Sequence, residues 1–214
     1  MIDCEFCAEF QTDGPSRFRI SYQDVASHRV VARSRRFVAV PTIGQMLEGS
    51  LLILPVKHEE TCAAMDDDAR AEMLTLADEM VARCSRLGST IVFEHGATTV
   101  SGGGCGIHHA HLHIVPLPRA AEPAELFPEG TAEAADLAAA WRTLRGSSHY
   151  LLIGNGERVL TRDLIAMPGE FPSQFFRRRI AEFFALETPW DWRSYPSVER
   201  SMVRVLAESV MDAT

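Results

Sequence analysis

His109-Ala110-His111-Leu112-His113 places an imidazole at every second position of one short stretch. Each imidazole carries two polar nitrogens that can hold a proton, bind a metal or attack an electrophile. The stretch lies within Ile107 to Leu117 (IHHAHLHIVPL), whose period of two predicts a β-strand. Residues two apart on a strand share a face, so the three histidines would form a row about 7 Å apart. Ala110, Leu112 and Ile114 would form the buried back, and His108 would point away from the row. Two chemistries suit such a row: metal ligation from a sheet, or attack by one imidazole on phosphorus while its neighbours orient it. Ser101 to Gly106 (SGGGCG) stands directly before the strand and favours the second. Backbone N–H groups of a glycine-rich turn can cradle phosphate oxygens, and a strand that only held metal would not need them.

Near the N-terminus, Cys4-x-x-Cys7 is a redox pair or half a metal site. His58 follows Leu54-Pro55-Val56-Lys57, and two histidines added to the two cysteines would make a tetrahedral set.

These residues need a scaffold. Arg29 to Ala32, Phe37 to Val40 and Ser50 to Leu54 read as short strands separated by Pro41, Gly44 and Gly49, an antiparallel meander. From Thr61 to Leu87, Met65, Ala69, Met73, Leu76, Met80 and Cys84 recur at helical spacing, with Gly88 as a stop. Asp66, Asp67 and Asp68 suit the positive end of that helix. Thr90 to Glu94 reads as a strand, Thr131 to Leu144 as a helix, and Tyr150 to Ile153 as a strand before an Asn155-Gly156 turn. Two further helices are expected, from Pro172-Ser173 to about Leu186 and from about Ser197 to Met211. The fold class is α+β.

Composition narrows the partners. The chain has 214 residues, a net charge of -8 and a pI of about 5.5. That balance argues against long nucleic acid, which needs a basic face, and leaves a small nucleotide open. No apolar run reaches the roughly 18 residues of a membrane span, and MIDCEFCAEF lacks a signal-peptide core. A cytoplasmic protein with five reduced cysteines is expected.

GGGCGIHHAHLHIVP resembles the signature of the histidine triad (HIT) superfamily, and FVAVPTIGQMLEGSLLILPVKH resembles that family's strand, glycine turn, strand and Pro-x-x-His stretch. The resemblance covers about Cys4 to Leu117. It implies a HIT-like antiparallel sheet with packed helices and residues 1–120 forming a nucleotide-binding catalytic domain; residues 121–214 lie beyond the resemblance and are expected to form a helical C-terminal extension packed on it. It implies His111 as the nucleophile that forms a nucleotidyl-histidine intermediate, with its Nδ1 proton held by a carbonyl of the same strand. His113 and the loop at Gly104, Cys105 and Gly106 would stabilise phosphate charge, while Phe37, Ile43 and Glu94 would be substrate contacts. It further implies structural zinc on Cys4, Cys7, His58 and His109, with His95 as the rival fourth ligand. No redox cofactor is implied, and a homodimer is.

Cys105-Gly106 stands where hydrolases of the family carry Gln-Ser. The cysteine is more similar to the galactose-1-phosphate uridylyltransferase branch, which however ends its triad in glutamine where this chain has His113. Hydrolase is slightly favoured over transferase or phosphorylase. A non-catalytic nucleotide-binding regulator and a metalloprotein using the histidine row as ligands are the other function classes. In the tail, Arg177, Arg178 and Arg179 read as a solvated basic face beside a helix start that can meet an anion, and Trp190 and Trp192 as packing anchors.

Overall fold

A computed structural model describes residues 4–11, 16–21, 29–98, 107–127, 130–164 and 171–194. Gly104, Cys105 and Gly106, and the helix expected from about Ser197 to Met211, lie outside the described residues. The strands are β1 Ala32–Arg33, β2 Phe37–Pro41, β3 Leu51–Pro55, β4 Ser89–Ala97, β5 Leu112–Leu117, β6 Ala132–Ala134, β7 His149–Gly154 and β8 Val159–Asp163. They form one antiparallel sheet in the order β1-β2-β3-β5-β4-β7-β8-β6. The helices are α1 Glu5–Phe10, α2 Arg17–Ser21, α3 Asp67–Cys84, α4 Pro123–Leu126, α5 Leu137–Thr143 and α6 Phe175–Phe183. The architecture is α+β, and no described helix is long and apolar enough to cross a membrane.

The period of two along the strands sorts side chains onto two faces. On one face, Ala39, Ile53, Leu112, Ile114 and Leu152 pack beneath α3 and α5. Helix α3 presents Met73, Leu76, Ala77 and Met80 to that layer, and its start is capped by Asp66, whose carboxylate accepts the Ala69 N–H at 2.6 Å. Truncating Met73, which is fully buried, would cost about 2 to 5 kcal/mol. The opposite face carries two separate apolar clusters. Cys4 and Phe6 cover Val38, Val40, Leu52 and Leu54 on the β2–β3 side. Phe171, Phe175, Phe176 and Ile180 cover Phe93, Val115 and Ile153 on the β4–β7 side.

Four expectations are corrected. The strand over Ile107 to Leu117 begins only at Leu112. Ahead of it, the Ala110 N–H donates to Glu59 O at 2.7 Å, and the His109 ring bonds Pro55 O, so the backbone is tied to the turn after β3 instead of to a ladder. Thr131 to Leu144 splits into β6 and α5, because Asp136 caps a fresh helix by accepting the Ala139 N–H at 2.6 Å. The long helix loses its first turn to a separate 3-10 turn at Cys62–Ala64, capped by Thr61. The segment after residue 120 is not only helical. It supplies β6, β7 and β8, and β7 pairs with β4 across six residue pairs from Val92↔Gly154 to Ala97↔His149. Both edges of β4 are thereby occupied, and the sheet ends in the short strands β1 and β6.

Candidate active site

His113 is the second residue of β5, on the face opposite α3, and it pairs in register with Phe93 of β4. The two rings stack with centroids 4.3 Å apart and planes 15° apart, which fixes the imidazole against the sheet. His111 stands just before the strand, its ring 5.1 Å from that of His113 and edge-on to Phe6 at 5.9 Å. Its Nδ1 lies 2.6 Å from His109 O. A carbonyl can only accept, so Nδ1 carries the proton and Nε2 keeps its lone pair. Burial lowers the pKa of His111 despite that carbonyl. It lowers His113 further, with help from the charges of His111, Arg177 and His95. Both rings are neutral near pH 7, as an attacking nitrogen must be.

These two histidines line an open cleft of about 560 Å³, solvent space at its mouth included. Phe6 and Phe18 form its N-terminal wall, Ile43 its loop wall, and Arg177 and Trp192 its C-terminal wall. The cleft is therefore the gap between the two apolar clusters on that face. Arg29 also lines it, bound to Glu9 by two parallel hydrogen bonds of 2.8 Å and to Pro41 O at 2.8 Å. On the other flank of His111 lies a smaller polar pocket bordered by Glu60, His95 and His108. His95 Nε2 sits 2.8 Å from His149 Nε2. Among the described residues its Nδ1 has no partner. Burial holds the His95 pKa down at about 3.

His109 faces elsewhere. Its Nε2 donates to Pro55 O at 2.8 Å, and its Nδ1 lies 3.4 Å from Cys4 Sγ and 3.7 Å from Cys7 Sγ. Cys7 Sγ is also 3.4 Å from His58 Nδ1. The ligand atoms of Cys4, Cys7, His58 and His109 all lie within 4.8 Å of one another. Tetrahedral zinc, with bonds of about 2.3 Å to sulfur and 2.0 Å to nitrogen, sets such atoms about 3.6 Å apart. Burial, with the neighbouring Cys4, pushes the Cys7 thiol up to about 12; a bound cation reverses that cost by taking the thiolate. The donor set and spacing fit a closed tetrahedral metal site. The Pro55 carbonyl contributes by selecting the His109 tautomer.

The structure brings together His111, His113 and Ile43 at the cleft, and Cys4, Cys7, His58 and His109 at the metal-type cluster. Two expected substrate contacts are corrected. Phe37 points to the α3 face and is buried in its core. Glu94 also points to that face, where its carboxylate accepts the Cys62 N–H at 2.9 Å and the Trp141 Nε1–H at 2.8 Å. Strand parity decides both, since Phe93 and His95, not Glu94, share the His113 side of the sheet. His95 as rival metal ligand is corrected too, because its Nε2 is taken by His149. Sequence reasoning missed Phe6, Phe18 and Trp192 as cleft walls, and it grouped Arg177 with two surface arginines. Arg178 lies over Trp190 at 3.7 Å and Arg179 pairs with Glu182, whereas Arg177 is only 5 % exposed. Helical phase carried the missing signal, since Phe176, Arg177 and Ile180 share the buried side of α6.

No curated protein matches the chain. Solved structures that resemble it include a hypothetical histidine triad nucleotide-binding protein from Sulfolobus tokodaii, 22% identical, with a TM-score of 0.38 over 53% of this chain and 68% of that one. A member of the HIT family from Bacillus subtilis is 20% identical, with a TM-score of 0.41 over 53% of this chain and 72% of that one. A zinc-bound histidine triad family protein from Mycobacterium smegmatis is 19% identical, with a TM-score of 0.39 over 54% and 75%. A family model described as "Protein similar to CwfJ C-terminal" matches residues 3–126. That match spans more than half of the chain, which therefore belongs to the CwfJ C-terminal-like family, a HIT-like family.

Proposed function

We propose that this chain is a nucleotide hydrolase or nucleotidyltransferase that attacks the phosphorus of a nucleoside monophosphate group with His111 Nε2. The observation that carries this reading is the 2.6 Å bond from His111 Nδ1 to His109 O, which leaves Nε2 with its lone pair on a neutral ring that lines the cleft. Nε2 forms a bond to phosphorus while the bond to the leaving group breaks, and that group departs with the electron pair. Water or another acceptor then attacks phosphorus, returns the pair to Nε2 and gives up its proton. His113, braced on Phe93, stabilises charge on the phosphate oxygens. Phe6, Phe18, Ile43 and Trp192 supply apolar and aromatic surface suited to a nucleoside.

The same reading gives Cys4, Cys7, His58 and His109 to structural zinc, which would fasten the N-terminal segment over the cleft. That segment carries Phe6, which touches both His109 and His111. A metalloprotein using the whole histidine row is disfavoured, since His111 and His113 stand outside the metal-type cluster. A homodimer would associate through a surface other than the edges of β4, both of which are filled.

Incubation with a panel of dinucleoside polyphosphates and nucleotide sugars, followed by intact mass, tests the reading. An added nucleoside monophosphate mass that disappears in His111→Gly is expected. Nucleotide binding with neither adduct nor turnover across the panel would point instead to a regulator.

A further inference from the structure

His111 borders the cleft on one flank and, on the other, a polar pocket lined by Glu60, His95, Gly96, Ala97 and His108. His95 stands two residues beyond Phe93 on β4, as His111 stands two residues before His113, and Phe93 pairs with His113. It lies within electrostatic range of both His111 and His113, and burial keeps its ring neutral near pH 7. His95 is only 4 % exposed, and its Nε2 is 2.8 Å from Nε2 of His149 with the ring planes 7° apart. A single proton lies between those two nitrogens, so one ring donates and the other accepts. Nδ1 of His95 is left over. Among the described residues it is buried and has no hydrogen-bond partner. A buried polar nitrogen left so costs about 1 to 3 kcal/mol, which an oxygen entering the pocket would remove. His149 is in reach of Asp163, whose carboxylate favours the charged imidazole. Among the described residues no lysine or arginine lines the pocket, so a phosphate-bearing acceptor would meet the Glu60 carboxylate with no cation to offset it. Water carries no such charge.

We propose that His95 is a further catalytic residue, the base that takes a proton from water as that water attacks the nucleotidyl group on His111, which makes the chain a hydrolase. The inference deepens the reading of His111 as nucleophile and rests on it. The water oxygen bonds to phosphorus, and the phosphorus–Nε2 bond breaks with its electron pair returning to His111. The water proton goes to His95 Nδ1 while the Nε2 proton of His95 passes to Nε2 of His149. The charge thus comes to rest on the ring that Asp163 favours. A phosphate leaving group departs as an anion in the first step and needs no such help.

Rapid quench of the full chain, read by intact mass, tests this with dinucleoside tetraphosphates and glucose nucleotides of all four bases as probes. His95→Ala is expected to form the His111 adduct at within about threefold of the wild-type rate and to lose it about 100-fold or more slowly, so that the adduct accumulates. His149→Ala should slow that loss less, by about tenfold. In water labelled with oxygen-18, the wild type should release nucleoside monophosphate carrying the label. Loss of the adduct at the wild-type rate in His95→Ala, slowing by Glu60→Gln in place of His95→Ala, or product without the label overturns the proposal and leaves the nucleophile standing. No His111 adduct with any probe, in wild type or His95→Ala, overturns both. Should His95→Ala fail to fold, nitrogen NMR of the wild type still decides. A bare Nδ1 and a protonated Nε2 on His95 are expected, and a proton on Nδ1 overturns the proposal.

Discussion

His109 and His111 are two residues apart and carry opposite tautomers. In His109 the Pro55 carbonyl takes the Nε2 proton, and Nδ1 turns to Cys4 and Cys7. In His111 the His109 carbonyl takes the Nδ1 proton, and Nε2 keeps its lone pair on a ring that lines the cleft. The backbone oxygen that each ring finds decides which nitrogen remains for chemistry. The two histidines thus divide a motif that looks uniform into a metal-type half and a half to which the nucleophile is proposed to belong. They are also coupled, since the carbonyl that orients His111 belongs to His109.

The largest way to break that division is to remove one half. His111→Gly is expected to lower turnover by about 10⁴-fold or more, as for a lost covalent nucleophile. Its metal content and melting temperature should stay near wild type, measured by metal analysis and thermal unfolding. Loss of metal in this variant would show that His111 belongs to the other half. Cys4→Ser strikes the opposite side. It should release the metal and cost about 3 kcal/mol, lowering the melting temperature by about 6 to 12 °C. Activity should fall less than in His111→Gly, and a chelator should reproduce the effect. Unchanged metal content in Cys4→Ser would contradict the assigned ligand set.

Much of this was legible in the sequence, and its limits have physical causes. The histidine spacing, the Cys-x-x-Cys pair and His58, read through the resemblance to the histidine triad signature, singled out the four residues that cluster within 4.8 Å and the histidine proposed as nucleophile. The strand boundary at Leu112 was not legible. The pull of Glu59 O and Pro55 O on residues 109 and 110 is a tertiary effect that local alternation does not encode. Glu94 was misread because its face depends on strand parity, and the start of β4 had to be known to count it. β8 follows a turn that was seen, yet its own five residues carry too weak a pattern to stand out. The C-terminal wall of the cleft depends on contacts such as Arg177 to Gly44 O, 133 positions apart, which no local pattern reports.

Smaller effects sharpen the contrast between the two faces of the sheet. Glu94→Gln keeps the shape but sets its amide N–H₂ against either the Cys62 or the Trp141 N–H, and should cost about 2 kcal/mol. Denaturant unfolding should register that loss while KM stays within about twofold; a KM effect with full stability would restore Glu94 as a substrate contact. Glu72 offers the smallest change. Burial pushes its carboxyl up, but the Ser34 hydroxyl, the Arg36 N–H and the Arg36 guanidinium outweigh burial and hold it at about 2. A depressed carboxylate stabilises the fold above its unfolded pKa of about 4.3, and the contribution fades as pH falls toward 2. After solvent screening, Glu72→Gln should cost about 1 kcal/mol near pH 7. Unfolding at pH 7 and pH 3 should show that gap narrowing in acid, whereas a gap independent of pH would refute the ionic origin.

The most direct measurement is the site of attachment of the trapped nucleotide. Protein quenched during turnover should yield, by peptide mass mapping, a nucleoside monophosphate on His111, and phosphorus–nitrogen NMR coupling should assign the bond to Nε2. A nucleotide found on Nδ1, on His113 or His95, or product formed while no histidine is ever labelled, would contradict the account.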